Sequence, residues 1–260
     1  MSAVNADLNV AGDGNVSASA TAAGPGVPAG TPGTGLSGDG VTQQGGVTQD
    51  GAGSSGPNWG AAHWDERYSG RIHWQNEPSP HVVSALRGRP PGASLDVACG
   101  FGRNSIWLAQ QGWDAHGVDF SKVGLGKAAE FANDAGVDLS LYCADITSGW
   151  DPGRTFDLVM LSYLHYRDFG IVPIVERMTT WVADGGLLLV IGFDESSHPL
   201  PTGGPHQLDQ FYSRELLSGI MTGAGFEIES AQVLPREVYS DDGEPFMIGD
   251  TVVLGKRSGR

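Results

Sequence analysis

The stretch LDVACGFGRNSIWLAQQG, Leu95–Gly112, decides the fold of this chain. The apolar run Ser94–Cys99 predicts a buried strand, and the amphipathic run Arg103–Gln111 predicts a helix. Two closely spaced glycines, Gly100 and Gly102, lie between them and indicate a tight turn. The stretch is therefore typical of a strand, a glycine turn and a helix.

The rest of the chain after this stretch alternates between short apolar runs and helical patterns. Such alternation predicts an α/β fold, a Rossmann-like sandwich of three layers with a parallel sheet covered on both faces. No helix separates the last two runs, so they predict an antiparallel pair at one edge. The further predicted strands are Ala115–Phe120, Leu139–Ala144, Phe156–Tyr163, Leu187–Phe193, Phe226–Leu234 and Thr251–Lys256. The further predicted helices are Ser121–Gly136, Ile171–Val182 and Ser213–Gly225, and Asp184–Gly186 predicts a turn.

Ligands of such sheets bind at the carboxyl ends of the strands, so the glycine turn is a candidate binding loop. It is not a phosphate loop, because the chain has no Gly-x4-Gly-Lys-Ser/Thr run. The dinucleotide pattern G-x-G-x-x-G is met only in part, since its third position is Ser105. Asp96 also stands inside the strand, where that pattern usually has an apolar residue. A nicotinamide-dependent oxidoreductase nevertheless remains an alternative.

S-adenosylmethionine agrees better with the residues that follow the first three strands. Gly100 and Gly102 allow close approach of the backbone, and the helix N-terminus at Arg103 and Asn104 would face the methionine carboxylate. The carboxylates would bind the remaining polar groups: Asp96 the ammonium, Asp119 the ribose hydroxyls and Asp145 the adenine amino group. Ile146 would pack on the adenine. The predicted cofactor site also includes Ala98, Phe120 and Ser121, which adjoin these strand ends, and Ser162 near the end of the fourth strand.

The segment LDVACGFGRNSIWLAQQGWDAHGVDFS, residues 95–121, resembles the first two motifs of class I S-adenosylmethionine-dependent methyltransferases. It is most similar to the bacterial group related to thiopurine S-methyltransferase and the tellurite-resistance methyltransferases. Four more segments agree with that group: HWDERYSGRIHWQNEPS (63–79), FDLVMLSYLH (156–165), ADGGLLLVIGFD (183–194) and GGPHQLDQFYSRELL (203–217).

This resemblance implies a seven-stranded, mostly parallel sheet of order 3-2-1-4-5-7-6 with strand seven antiparallel. It also implies that residues 59–92 form an N-terminal cap over the cofactor, with Trp74 near the sulfonium, where an aromatic face gains cation–π energy. Phe193 departs from the group, because many relatives carry a polar residue, often His, after the fifth strand.

The acceptor of the methyl group is predicted to be a small molecule with a sulfur, oxygen, nitrogen or chalcogen nucleophile. Because the cofactor is already activated, the protein mainly aligns the reactants for in-line displacement. A hydroxyl or amine acceptor also needs a base, and His165 after the fourth strand is the candidate. The segment after the fifth strand would form the wall of the acceptor pocket, with His198, His206, Tyr212 and Asp194. A protein that binds the cofactor without turnover remains a second alternative.

Composition changes sharply at Trp59. Residues 1–58 carry four acidic residues, no basic residue and no aromatic residue, which predicts a disordered tail. All 15 basic residues and 26 of the 30 acidic ones follow, so the domain predicted over residues 59–260 is acidic and repels nucleic acid. The sequence shows no export signal and no membrane span, which favours a cytoplasmic protein in which Cys99 and Cys143 are free thiols. No metal-ligand spacing is present, so no metal site is expected. The protein is expected to be a monomer or a weak dimer.

Overall fold

The computed structural model describes residues 15–18, 60–70, 77–164, 170–200, 210–239 and 243–259. These residues lie in one compact unit, and the second unit of the chain, Thr21–Asn58, falls outside them. No helix in the described ranges is long and apolar enough to cross a membrane.

A single mixed sheet forms the middle layer of the protein. Its order is β1-β4-β3-β2-β5-β6-β8-β7, with β4, β3, β2, β5 and β6 parallel and β8 antiparallel to both its neighbours. From β2 to β8 this confirms the predicted order 3-2-1-4-5-7-6. The strands are β1 Asn15–Ala18, β2 Ala93–Val97, β3 Asp114–Asp119, β4 Leu139–Cys143, β5 Phe156–Ser162, β6 Val182–Phe193, β7 Phe226–Tyr239 and β8 Pro245–Arg257.

Helices cover both faces of the sheet. One apolar core packs α5 and α6 against β2, β5, β6 and β8, and a second core packs α2, α3 and α4 against the opposite face. Neighbouring residues of one strand alternate between the cores: Leu158 and Met160 belong to the second, Val159 and Leu161 to the first. The helices are α1 Ala61–Ser69, α2 Pro80–Leu86, α3 Arg103–Gln110, α4 Lys122–Ala135, α5 Val172–Thr180 and α6 Arg214–Gly223, with a 3-10 turn at Glu195–Ser197.

Helix α4 shows how local sequence fixes an element beside the site. The Ser121 side chain caps its N-terminus by accepting a hydrogen bond from the Gly124 N–H at 3.0 Å. Gly136 ends it in the left-handed conformation, φ 67°. Both ends agree with the predicted helix Ser121–Gly136.

Four features differ from the sequence prediction. The predicted turn Asp184–Gly186 is a bulge within β6, where the pairing with β5 shifts register. The hairpin strands β7 and β8 extend far beyond their predicted limits, and along their outer halves exposed residues alternate with less exposed ones. Helices α1 and α2 were not predicted, since neither shows a clear apolar periodicity.

The fourth difference lies in the predicted tail. Strand β1 pairs with the outer edge of β4 in antiparallel register, so the sheet of the described residues has eight strands where seven were expected. Backbone pairing at an edge strand needs no special side-chain pattern, and composition therefore gave no sign of it. The rest of residues 1–58 lies outside the described ranges, and its disorder stays a prediction.

Candidate active site

The chain leaves β2 through a turn of unusual backbone geometry. Ala98, Gly100 and Gly102 have φ values of 57°, 57° and 78°, and the Cys99 N–H donates to the Val118 carbonyl at 3.0 Å. A Cβ on Gly100 would lie 2.7 Å from the Tyr68 hydroxyl, and one on Gly102 would lie 3.0 Å from Ala128. Contacts within the protein therefore favour glycine at both positions. The sequence analysis had explained the two glycines by the close approach of a ligand.

Asp96 is the most unusual residue at this end of the sheet. It is 1% exposed, and its Oδ2 accepts a hydrogen bond of 2.7 Å from the Ser105 hydroxyl. Its Oδ1 is buried with no hydrogen-bond partner among the described residues. Burial raises the pKa of this carboxyl to about 7. A buried acceptor without a donor fits a ligand that supplies a cation, such as the predicted ammonium group.

Asp119 ends β3 and holds the glycine turn. Its two carboxylate oxygens accept hydrogen bonds of 2.8 Å from the N–H groups of Gly100 and Ser121. Burial raises the pKa of Asp119, although these N–H groups oppose the rise. Each carboxylate oxygen keeps a second lone pair. The side chain can therefore position the loop and still accept from the predicted ribose hydroxyls.

The adenine end of the predicted site lies after β4. Asp145 Oδ1 accepts from the N–H and the hydroxyl of Thr147, at 2.8 and 2.7 Å, which forms a local turn. Its Oδ2 makes no hydrogen bond within the described ranges and is free for a further donor. Ile146 is 7% exposed and belongs to the first apolar core, while Phe120 after β3 is half-buried.

Three of the predicted cofactor residues also join elements of the protein. The Asn104 side chain accepts from the Ser79 N–H at 2.8 Å and donates to the Ser162 hydroxyl at 2.9 Å. Asn104 and Ser162 therefore fix α2 against the ends of α3 and β5. Ser121 is likewise used as the α4 cap and donates to Asp65 of α1 at 2.5 Å.

Two of the residues predicted for the acceptor wall form hydrogen bonds within the fold. Asp194 accepts from the Ser196 N–H at 3.0 Å and the Thr251 hydroxyl at 2.6 Å, and Tyr212 is 1% exposed with its hydroxyl donating to the Leu164 carbonyl. Both side chains are thus used by the fold, whereas His198 is exposed and lies edge-on to Phe211, with ring centroids 5.2 Å apart. The predicted residues Trp74, His165 and His206 lie outside the described residues.

Tyr68 of α1 was not among the predicted site residues. Its buried hydroxyl lies over Gly100, and burial, together with the neighbouring Asp119 charge, raises its pKa. Asp65, one turn earlier, also accepts from the Val123 N–H at 3.2 Å, and so joins α1 to the start of α4. These contacts are long-range, and only the position of the segment HWDERYSG within the resemblance indicated them.

Sequence reasoning also missed a polar cluster at the ends of β5 and β8. Asp250 is fully buried, and three side chains bond it: Tyr163 at 2.7 Å, His81 at 3.0 Å and Arg236 at 2.5 Å. One signal was available, because Arg236 is the one basic residue between positions 226 and 250.

Comparison with known proteins adds independent findings. Residues 95–186 match the family model described as a methyltransferase domain. A 2-heptyl-1-hydroxyquinolin-4(1H)-one methyltransferase of Mycobacteroides abscessus is 25% identical over 163 residues, covering 60% of this chain and 71% of the relative. A ubiquinone biosynthesis O-methyltransferase of Ralstonia nicotianae is 28% identical over 199 residues, covering 70% and 79%. A ribosomal RNA small subunit methyltransferase C of Alcanivorax borkumensis is 28% identical over 123 residues, covering 45% of this chain and 38% of the relative.

Solved structures show the same fold. TehB from Haemophilus influenzae superposes with a TM-score of 0.59 at 17% identity, covering 76% of this chain and 67% of that chain. Magnesium protoporphyrin IX methyltransferase from Synechocystis, with bound S-adenosylhomocysteine, gives 0.52 at 17% identity, covering 79% and 90%.

The strand order, the buried carboxylate before the glycine turn and the domain match over residues 95–186 point to one class of enzyme. The chain is a class I S-adenosylmethionine-dependent methyltransferase, and S-adenosylmethionine is its cofactor. Its fold is similar to that of TehB.

Proposed function

We propose that this methyltransferase acts on a small, planar aromatic acceptor that carries an oxygen or sulfur nucleophile. The observation that carries the proposal is a row of aromatic rings at the carboxyl ends of β5 and β6. The Tyr163 and Phe193 rings lie 5.4 Å apart, and Phe193 lies 6.4 Å from Phe211. Tilted rings at these distances offer an aromatic acceptor favourable stacking and edge contacts.

Phe193 is central to this wall. It is half-buried at the end of β6. A phenyl ring there favours an acceptor with an apolar face over a hydrated inorganic anion. The names of two relatives agree, since one methylates a hydroxyquinolinone and the other is an O-methyltransferase of ubiquinone biosynthesis.

The cofactor, when bound, supplies an electrophilic methyl group on a sulfonium. Asp96 is proposed to bind its ammonium, Asp119 its ribose hydroxyls, and Asp145 with Ile146 its adenine. Arg103, at the start of α3, and Trp74 of the cap remain proposed contacts. The remaining proposed contacts are the backbone of Ala98, Gly100 and Gly102 and the side chains of Asn104, Phe120, Ser121 and Ser162.

His165, three residues after the end of β5, is proposed as the base for a hydroxyl acceptor. An imidazole near its ordinary pKa accepts a proton close to neutral pH. A thiol acceptor ionises more readily and depends less on this base.

The partners follow from the charge of the domain. An acidic surface disfavours RNA and DNA, so we propose that the acceptor is not a nucleic acid. We also propose a cytoplasmic protein that is a monomer or a weak dimer.

A turnover assay tests this function. The full chain is incubated with methyl-labelled S-adenosylmethionine and three acceptor sets: catechols and hydroxyquinolones, aryl thiols, and a ribosomal RNA transcript. We expect S-adenosylhomocysteine and labelled product with the aromatic sets only. Label in the RNA alone would contradict the proposal, as would binding of S-adenosylmethionine with no turnover of any aromatic acceptor.

A further inference from the structure

The cluster around Asp250 places a cation beside the aromatic wall. Arg236 donates from Nε to Asp250 Oδ2 at 2.5 Å and from Nη2 to Oδ1 at 3.2 Å, so one edge of its guanidinium is occupied by the carboxylate. Asp250 also accepts from Tyr163 and contacts His81. Burial alone would raise the pKa of Asp250, but the hydrogen bonds from His81 and Arg236 outweigh it and lower that pKa. The carboxylate is thus a fixed anion that orients Arg236.

The guanidinium lies over the same rings that form the proposed acceptor wall. Its central carbon is 5.1 Å from the centroid of Tyr163 and 5.5 Å from that of Phe193. Two rings and a carboxylate hold it in one orientation, which lowers the entropy that it loses when it binds a ligand.

Arg236 retains hydrogen-bonding capacity. A guanidinium has five N–H donors; two of those of Arg236 bond Asp250 and another interacts with the Tyr163 hydroxyl, so not all five are used within the described residues. The side chain is 28% exposed, in contrast to the fully buried Asp250. A donor group is therefore available on the side of the cluster that Asp250 does not occupy.

A second guanidinium interacts with Arg236. Arg103 is half-buried, interacts electrostatically with Tyr163, Asp96 and Arg236, and forms no hydrogen bond or ion pair within the described residues. Burial and the charge of Arg236 lower its pKa. Asp250 thus bonds Arg236, and Asp96 is the carboxylate whose charge acts on Arg103.

The backbone of the wall is strained at the same place. Tyr163 has φ 57°, a left-handed conformation that is rare for residues other than glycine. Its hydroxyl bond to Asp250 and its contact with Arg236 keep it there. Backbone strain that surrounding contacts maintain is concentrated at functional sites.

We propose that Arg236 determines acceptor specificity by binding an oxyanion, a carboxylate or phenolate, attached to the aromatic ring that stacks on Phe193. This inference rests on the proposed function and narrows its substrate class to anionic aromatic acceptors. Arg236 binds the acceptor and Asp250 is a positioning residue.

Matched acceptor pairs that differ in one charge test the proposal. The pairs are 3,4-dihydroxybenzoate with 3,4-dihydroxybenzamide, and 2-mercaptobenzoate with 2-mercaptobenzamide. For the wild type we expect kcat/KM to favour the carboxylate by about tenfold or more, through KM, because a charge-assisted hydrogen bond is lost in the amide. In Arg236→Gln the ratio of kcat/KM for the carboxylate to that for the amide should fall to about one. In Arg236→Lys, which keeps a charge beside Asp250, the ratio should take an intermediate value.

Arg257→Gln is the matched control. Arg257 lies 5.3 Å over the Phe226 ring and pairs with Asp184, but at the opposite end of the sheet. It should keep the wild-type preference, and all variants should bind S-adenosylhomocysteine within about twofold of the wild type. Wild-type preference near one, or an unchanged preference in Arg236→Gln, would overturn the proposal.

Calorimetry separates this proposal from the proposed function. If the wild type methylates neither member of a pair, the aromatic function fails, and 3,4-dihydroxybenzoate is titrated into the S-adenosylhomocysteine complex. The anion site is supported if the wild type and Arg257→Gln bind 3,4-dihydroxybenzoate and Arg236→Gln does not. It is overturned if the wild type does not bind this ligand, or if both variants bind it equally. Melting temperatures show whether Arg236→Gln folds, and Arg236→Lys provides the answer if it does not.

Discussion

The Ser105 hydroxyl donates a 2.7 Å hydrogen bond to Oδ2 of Asp96, while the other carboxylate oxygen is buried without a partner in the described part of the chain. Burial raises the pKa of this carboxyl from 3.8 to about 7. In the free protein Asp96 is therefore largely protonated below pH 7. A cationic ammonium would favour its charged form.

This relationship predicts a pH-dependent affinity for S-adenosylhomocysteine. Below pH 7 Asp96 must lose a proton to bind the ammonium, so affinity should rise about tenfold per pH unit up to pH 7 and then level off. Calorimetry between pH 5.5 and 8.5 measures the slope. Asp96→Asn should bind weakly with no such slope, and a wild-type slope in that variant would contradict the assignment.

The same pKa determines how stability changes with pH. Because the folded pKa lies above the unfolded value, the contribution of Asp96 is fully present below about pH 4 and is lost as pH rises through 7. The difference in free energy of unfolding between Asp96→Asn and the wild type, both free of cofactor, should therefore favour the variant more at pH 8 than at pH 5. Urea unfolding at the two pH values provides the comparison.

Asp119→Ala should affect both the cofactor and the loop. Losing the proposed ribose contact should weaken S-adenosylhomocysteine binding by about 1.5 to 3 kcal/mol, and losing the bonds from Gly100 and Ser121 should cost about 1 to 3 kcal/mol of stability. Asp157→Ala is the matched control, because Asp157 accepts from the Ala93 N–H at 2.8 Å at the opposite end of the sheet. It should lose stability and keep its affinity; equal loss of affinity in both would remove Asp119 from the cofactor site.

Gly100→Ala should disrupt the turn. Gly100 has φ 57°, and the new Cβ would approach the Tyr68 hydroxyl at 2.7 Å, so we expect a loss of about 1 to 3 kcal/mol in the free energy of unfolding. Gly126 lies in α4 with open space around it, and Gly126→Ala should stabilise the protein by about 0.5 to 1 kcal/mol. Thermal and urea denaturation compare the two, and similar effects from both would show that the turn tolerates a side chain.

His165→Ala should separate acceptor classes. With a catechol acceptor we expect kcat to fall by about 10²- to 10⁴-fold, the usual range for removal of a general base. With an aryl thiol the loss should be far smaller, and S-adenosylhomocysteine binding should be unchanged. Parallel losses for both acceptors and for cofactor binding would identify His165 as a structural residue.

Deletion of residues 1–58 tests the tail. The described part of this segment contributes four residues, β1, that pair with the edge of β4. We expect cofactor affinity to stay unchanged and the melting temperature to fall by only a few degrees, because most contacts of the sheet remain. A large loss of affinity would show that the tail reaches the site.

Much of the fold could be predicted from short-range patterns. The first four strands of the parallel sheet end within two residues of their predicted limits, and the Ser121 cap and Gly136 end of α4 were identified because capping depends on a few adjacent residues. Helices α1 and α2 were missed because their positions depend on contacts such as those from Asp65 to Ser121 and from Ser79 to Asn104. Such contacts join residues far apart in sequence, and no local period reports them.

For the site, the sequence alone determined which carboxylates stand at strand ends, because the apolar runs fix where each parallel strand stops. Tertiary structure decided what each carboxylate does: the two oxygens of Asp119 hold loop amides, while one oxygen of Asp96 is left buried and unpaired. It also brought Arg236 and Asp250, on neighbouring antiparallel strands, to Tyr163 at the end of β5. The physical reason is that strand periodicity is encoded locally, whereas the pairing of buried charges depends on which chain segments the packed sheet places side by side.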